Sequence, residues 1–219
     1  MEFYLDSACL EEIEDVLKRG VARGLTTNPS LVRSQVGTDP LGHLRKVVDL
    51  VESSDDSWPI SVQVTTREPA EMLRQGVLIA EALSYKNLAI KIPCSWDALP
   101  VVHELSSRGI AVNCTACITT NQALLAASAG ADYVSMFYGK MSDSGVDAAA
   151  TLARASVLVQ KHGAKLVVGS IRRPYDISEI AWSGADVATV PYPYFKRIAE
   201  HEKSEEAVAT FAGNFLAFD

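Results

Sequence analysis

The chain has 219 residues, 48% of them hydrophobic and 21% charged, with a formal net charge of -7. That length fits one domain with a substantial core, and the acidic balance leaves no basic stripe for nucleic acid, so an anionic ligand must find a local cluster of donors. No apolar stretch approaches membrane-spanning length and Met1-Glu2-Phe3-Tyr4-Leu5-Asp6 lacks a signal-peptide pattern, so a cytoplasmic protein with no membrane partner is expected.

Short apolar runs alternate with amphipathic stretches from end to end. Strands are expected over residues 3–5, 22–25, 60–64, 88–92, 111–114, 133–136, 165–169 and 187–190. Helices are expected between them, over 10–19, 41–52, 70–83, 96–107, 120–129, 146–161 and 177–183. A last helix over 202–219 carries a stripe of Phe211, Phe215 and Phe218, suited to packing on the rest of the chain or on a neighbouring subunit. Eight strand-then-helix units at about 27 residues each lie near the minimum for a parallel barrel. The expected fold is α/β, a (β/α)8 TIM barrel as a single domain over 1–219 with that extra C-terminal helix. A doubly wound sheet competes, but no G-x-G-x-x-G follows the first strand. Two echoes favour the barrel: Gly130-Ala131-Asp132 and Gly184-Ala185-Asp186 both stand between a helix and a strand, where glycine ends the helix in a left-handed cap.

Lys91 stands inside the apolar run Leu88-Ala89-Ile90-Lys91-Ile92-Pro93. Burying an ammonium without a partner is costly. Desolvation lowers an amine's pKa and favours the neutral, nucleophilic form that condenses with a carbonyl. The competing reading is a buried stem whose head reaches solvent or pairs with a carboxylate.

In a parallel barrel the carboxyl ends of the strands converge on one face. Seven of the eight expected mouths carry a polar group: Asp6, then Thr26-Thr27-Asn28, Gln63, Lys91, Asn113 with Thr115, Ser135 with Phe137, and Ser170 with Arg172. Together they describe a pocket with a nucleophile, a carboxylate, hydrogen-bond donors and a cationic anchor. Each has a plainer reading. Asp6 could cap the helix starting near Cys9. Thr27 and Asn28 could be turn chemistry before Pro29. The start of a helix at Ser170-Ile171-Arg172-Arg173-Pro174 suits an anion such as a phosphate, although Arg172 could equally form a surface salt bridge. Cys9, Cys94, Cys114 and Cys117 read as buried structural thiols, because neither a second ligand pair nor usefully spaced histidines complete a zinc motif, and no metal is expected.

These residues in this order resemble the transaldolase family, specifically its short subfamily that includes fructose-6-phosphate aldolase. The matching segments include Leu25-Thr26-Thr27-Asn28-Pro29-Ser30-Leu31, Ser61-Val62-Gln63-Val64, Ile90-Lys91-Ile92-Pro93, Asn113-Cys114-Thr115 and Gly169-Ser170-Ile171-Arg172. The resemblance implies a class I aldol mechanism without a cofactor. By it, Lys91 is the imine-forming amine and Asp6 the carboxylate that takes the C4 hydroxyl proton. Gln63 and Thr115 position a water; Asn28, Asn113 and Ser135, beside Thr27, hold a dihydroxyacetone fragment. Arg172, Ser170 and Lys140 line the acceptor phosphate's side, and Phe137 lies beside the intermediate. The implied partners are sugar phosphates, a ketose donor and an aldose acceptor, and a homo-oligomer, often a decamer. Two family markers disagree: Gln63 is the aldolase state, whereas Phe137 is the transaldolase state. Met136 and Lys140 replace a family proline and arginine, and lysine lacks arginine's bidentate fork. Phe137 leaves the intermediate dry and favours transfer over release. An aldolase and a catalytically inactive sugar-phosphate-binding barrel are the other readings.

Overall fold

The computed structural model describes residues 1–54 and 57–213. Eight parallel strands close in sequence order: β1 (Glu2–Asp6), β2 (Leu25–Thr26), β3 (Ile60–Gln63), β4 (Leu88–Pro93), β5 (Ala111–Cys117), β6 (Tyr133–Phe137), β7 (Lys165–Gly169) and β8 (Val187–Pro191), with β8 pairing back onto β1. The expected (β/α)8 barrel is thus observed. The main crossover helices are α1 (Leu10–Arg19), α2 (Pro29–Gln35), α3 (Pro40–Glu52), α4 (Pro69–Leu83), α5 (Leu99–Ser107), α6 (Thr120–Ser128), α7 (Tyr138–Asp143), α8 (Ala148–Lys161), α9 (Pro174–Trp182), α10 (Tyr192–Ala199) and α11 (Glu202–Gly213).

Strand parity sorts the side chains. Residues such as Ile60, Ile90, Ile92, Val112, Val134, Val168 and Val190 join the main apolar cluster with Val16, Val48, Leu105 and Leu152 of the helices. Each such side chain contributes about 1.5–3 kcal/mol on burial. Inside the barrel, a small separate cluster of Tyr4, Val167 and Val187 with Tyr133 makes the floor. Gly24 makes that floor possible, since a Cβ there would stand 2.6 Å from the Tyr4 ring. Above it, the buried residues of the opposite parity are polar: Thr26, Ser61, Lys91, Asn113, Ser135 and Thr189. The barrel is dry wherever it packs on helices and polar toward its mouth.

The Gly-Ala-Asp junctions behave as expected. Gly130 and Gly184 have φ of 100° and 81°. Each following aspartate reaches back to the preceding strand: Asp132 accepts from the Val112 amide at 2.8 Å, and Asp186 from the Leu166 amide at 2.7 Å. The sequence expectation misses α2, α7 and α10, all short, and extends β2 to 22–25 where only Leu25–Thr26 is strand. The stretch expected as one helix from residue 96 begins as a 3-10 turn, Trp96–Ala98, capped by Ser95. Helix α11 buries none of its described residues, and Phe211 is 71% exposed. Phe215 and Phe218 lie outside the described residues.

Candidate active site

Neighbouring strand ends bring Asp6, Thr26, Gln63, Lys91 and Asn113 together. Asp6 pairs in register with Thr26, Gln63 with Lys91, and Lys91 with Asn113. Lys91 is 6% exposed, and its Nζ donates to the Thr27 carbonyl at 3.0 Å. Among the described residues no carboxylate forms an ion pair with it, so neither plainer reading holds: the head neither reaches bulk water nor is locked to a counter-ion. Burial pushes the Lys91 pKa below its ordinary value, and the nearby Asp6 charge opposes that shift only in part. Burial likewise raises the Asp6 pKa, against the Lys91 charge and a hydrogen bond from Thr26. An amine and a carboxylate, each disfavoured in its charged form, share one mouth of the barrel. Such a pair can exchange protons with a guest at little cost.

Asp6 does not cap α1. Cys9 is the N-cap and makes no side-chain cap bond; the Cys9 amide donates to Ser7 Oγ at 3.1 Å. Asp6 instead accepts from Thr26 Oγ1 at 2.9 Å, and Thr26 bonds Thr189 Oγ1 at 2.6 Å. Thr27 is held by donation to the Ser61 carbonyl at 2.9 Å, which fixes the carbonyl that receives Lys91. A second chain runs Ser135 Oγ to Asn113 Oδ1 at 2.6 Å, then Asn113 Nδ2 to Ser61 Oγ at 3.1 Å. Ser61 and Thr189 are site residues the sequence reading missed. Strand parity was the available signal, because both share the inward face with Gln63 and Thr26.

Thr115 is 1% exposed and its hydroxyl has no partner among the described residues. Leaving a buried hydroxyl unpaired costs about 1–3 kcal/mol, so this atom has capacity for a bound water or substrate. Asn28 is half committed: its Oδ1 caps α2 by accepting from the Ser30 and Leu31 amides, both at 3.1 Å, so only its NH2 is left for a guest. Beside Thr27, Asn28 and Gln63 a cavity of about 450 Å³ opens between α2, α3 and α4.

The opposite rim is arranged differently. Arg172 Nη2 meets Asp143 at 2.6 Å, and both side chains are about half exposed. The amides of Arg172 and Arg173 both donate to Asp176 Oδ2, at 3.1 and 3.0 Å. The α9 N-terminus expected to seat an anion is therefore already filled by the chain's own buried carboxylate. Ser170 takes a left-handed φ of 60°, and its carbonyl accepts from the Gly139 amide at 3.0 Å. Only glycine allows that approach, since a Cβ at 139 would lie 2.4 Å from this oxygen. Phe137 ends β6 half-buried, and Lys140 is exposed on α7.

Cys114 and Cys117 are fully buried, as expected of structural thiols, whereas Cys9 and Cys94 are only partly buried, and Cys94 converges with Cys114 and Cys117, which the spacing did not suggest. No helix among the described residues is long and apolar enough to cross a membrane.

Residues 3–217 match the family model described as Transaldolase/Fructose-6-phosphate aldolase. A probable transaldolase of Carboxydothermus hydrogenoformans is 36% identical over 221 residues, covering 99% of each chain. Probable transaldolases of Chlorobium phaeobacteroides and Dehalococcoides mccartyi are each 34% identical, covering 96% and 98% of this chain and 94% and 98% of their own. A solved thiamine phosphate pyrophosphorylase from Pyrococcus furiosus shares the fold alone, with a TM-score of 0.62 at 15% identity over 87% of this chain and 85% of its own. With the family model and the curated relatives spanning nearly its whole length, this chain belongs to the transaldolase/fructose-6-phosphate aldolase family.

Proposed function

We propose that the protein is a transaldolase that moves a dihydroxyacetone unit from a ketose phosphate to an aldose phosphate through an imine on Lys91. The observation that carries this reading is a buried amine that hydrogen-bonds only a carbonyl and forms no ion pair among the described residues, with burial lowering its pKa and the Asp6 carboxylate close enough to oppose that shift. The neutral amine adds to the C2 carbonyl, and the carbinolamine takes up a proton from solvent and loses water to give a protonated imine. The C3–C4 electron pair then flows into that imine as the C4 hydroxyl gives its proton to Asp6, and the aldehyde half leaves. Addition of the acceptor aldehyde reverses these steps, and hydrolysis frees the amine.

Thr115, with its unpaired hydroxyl, and Gln63, in register with Lys91, suit the water lost and regained. Asn113 and Ser135 are preorganised by their mutual hydrogen bond to meet the dihydroxyacetone hydroxyls, with Thr27 and the amide of Asn28 at the adjoining rim. Arg172, beside Ser170 and Lys140, supplies the acceptor phosphate's cation. Gln63 keeps a second reading open, the aldolase that releases free dihydroxyacetone. The exposed face of α11, with Val208 and Phe211, suits a second copy of the chain. Fructose 6-phosphate turnover, assayed with and without erythrose 4-phosphate, separates the readings: acceptor-dependent turnover is expected, and release without acceptor would favour the aldolase. A protein whose mass does not rise under borohydride with fructose 6-phosphate would be a non-catalytic barrel.

A further inference from the structure

Cys94, Cys114 and Cys117 place their three sulphurs within 4.8 Å of one another on the outer side of β4 and β5, behind the strand ends that carry Lys91 and Thr115. Cys117 lies three positions after Cys114, which in a regular strand would send their side chains to opposite faces. A bulge undoes this: the β5–β6 register shifts between Cys114 and Cys117, and Ala116 takes a left-handed φ of 63°. A non-glycine residue there costs on the order of 1–3 kcal/mol. Both thiols therefore join the same buried layer. Cys94 arrives from the neighbouring strand, fixed by its amide's bond to the Thr115 carbonyl at 2.8 Å.

We propose that these three cysteines form a site for one thiophilic d10 cation, zinc in its divalent state, which clamps the ends of β4 and β5 from outside the barrel. Thiolates about 2.3 Å from zinc are roughly 3.8 Å apart on a tetrahedron, so the observed cluster needs to contract by only about 1 Å. Three sulphurs and no carboxylate or imidazole in the cluster select a soft ion over magnesium or calcium. Each thiol gives one proton to solvent on binding, so a divalent cation leaves a net charge of -1 in an apolar layer, where a monovalent one would leave -2. Half-buried Cys94 provides the approach path and leaves the fourth position to water.

The purified, reduced full-length protein titrated with Co2+ alone is expected to bind one equivalent. Near-ultraviolet sulphur-to-cobalt charge transfer should appear, be displaced by Zn2+, and accompany release of three protons. Cys94→Ser, exposed enough to leave the fold intact, and Cys117→Ser should each weaken Zn2+ binding by at least about 100-fold against a chromogenic chelator. Lys91→Met should bind the metal unchanged, so failure of the imine chemistry and failure of this site are distinguishable. Absence of the charge-transfer band, or its persistence in the Cys94→Ser/Cys117→Ser double variant, would overturn the proposal. So would a native mass short by two hydrogens, which marks a disulfide, or a competition titration in which Cu+ binds and Zn2+ does not.

Discussion

The two sides of the barrel mouth are built on opposite terms. From β1 to β6 Thr26, Ser61, Lys91, Asn113, Thr115 and Ser135 are buried beside half-buried Asp6 and Gln63, and two hydrogen-bond chains fix this side, Asp6–Thr26–Thr189, which reaches β8, and Ser135–Asn113–Ser61. Around α7 and α9 the Arg172 guanidinium is half exposed and paired with Asp143, while Asp176 accepts from the Arg172 amide and pairs with the Arg173 side chain. The first side disfavours the charged forms of Lys91 and Asp6 and leaves the Thr115 hydroxyl without a partner among the described residues, whereas the second pairs its charges internally. This difference suggests that the bond-breaking end is preorganised, whereas the acceptor end must exchange an internal partner for a ligand. Each side then responds to mutation differently.

The largest effect is expected at Lys91. Lys91→Met should lower turnover by at least about 10⁴-fold and abolish borohydride trapping, with the circular dichroism spectrum unchanged. The wild-type pH profile gives the same group a second check. Imine formation needs the free amine, so kcat/KM should rise with pH along a limb below the ordinary lysine value of 10.5. The stability sign follows. With its folded-state pKa lowered, Lys91 binds its proton less well in the folded chain, so the ammonium costs stability below that pKa and the cost fades as pH rises toward the unfolded value. Denaturation midpoints of wild type and Lys91→Met should therefore converge with rising pH. Parallel curves would place Lys91 in water and remove the basis of the mechanism. Next in size, Asp6→Asn keeps the hydrogen bond from Thr26 but cannot take a proton, and a loss of about 10²–10⁴-fold in kcat is expected.

How much of this was legible in the chain follows from what each signal measures. Hydrophobic periodicity reports burial, so it found all eight strands and the long helices, and the glycine–aspartate junctions gave the repeat. Strand-end position found Lys91, Asp6, Asn113 and Ser135 as neighbours, because parallel strands in sequence order have only one mouth. Pairwise commitments were not legible. Whether the α9 amides are free depends on Asp176 folding back, and whether Arg172 is free depends on Asp143, 29 residues away. The cysteine cluster was hidden for a related reason: a spacing of three is read as opposite faces until a bulge at Ala116 reverses it. Short α2, α7 and α10 carry too few turns for a period to emerge.

Thr115 tests the preorganised side at smaller scale. Thr115→Val keeps the shape and deletes a buried hydroxyl that has no partner among the described residues. Chemical denaturation should show a stability unchanged or higher by about 1 kcal/mol, because no hydrogen bond within the chain is lost. Single-turnover imine formation should nevertheless slow by about tenfold if that hydroxyl holds the transferred water. A loss of stability with no change in rate would make Thr115 a packing residue and leave Gln63 to hold the water by itself.

The smallest effect is expected on the exposed side, and its direction is what matters. The Arg172–Asp143 pair is about half exposed, so it contributes roughly 0–1 kcal/mol and Asp143→Ala should barely move the melting temperature. If Asp143 occupies the guanidinium that a phosphate would otherwise take, removing it raises the share of free Arg172. The KM for a phosphorylated acceptor should then fall by about two- to fivefold, while that for an unphosphorylated aldehyde stays unchanged. Arg172→Ala should raise the first and spare the second. Equal shifts for both acceptors would mean that this ion pair orders the rim generally, and that the phosphate is met elsewhere, with exposed Lys140 on α7 the alternative cation.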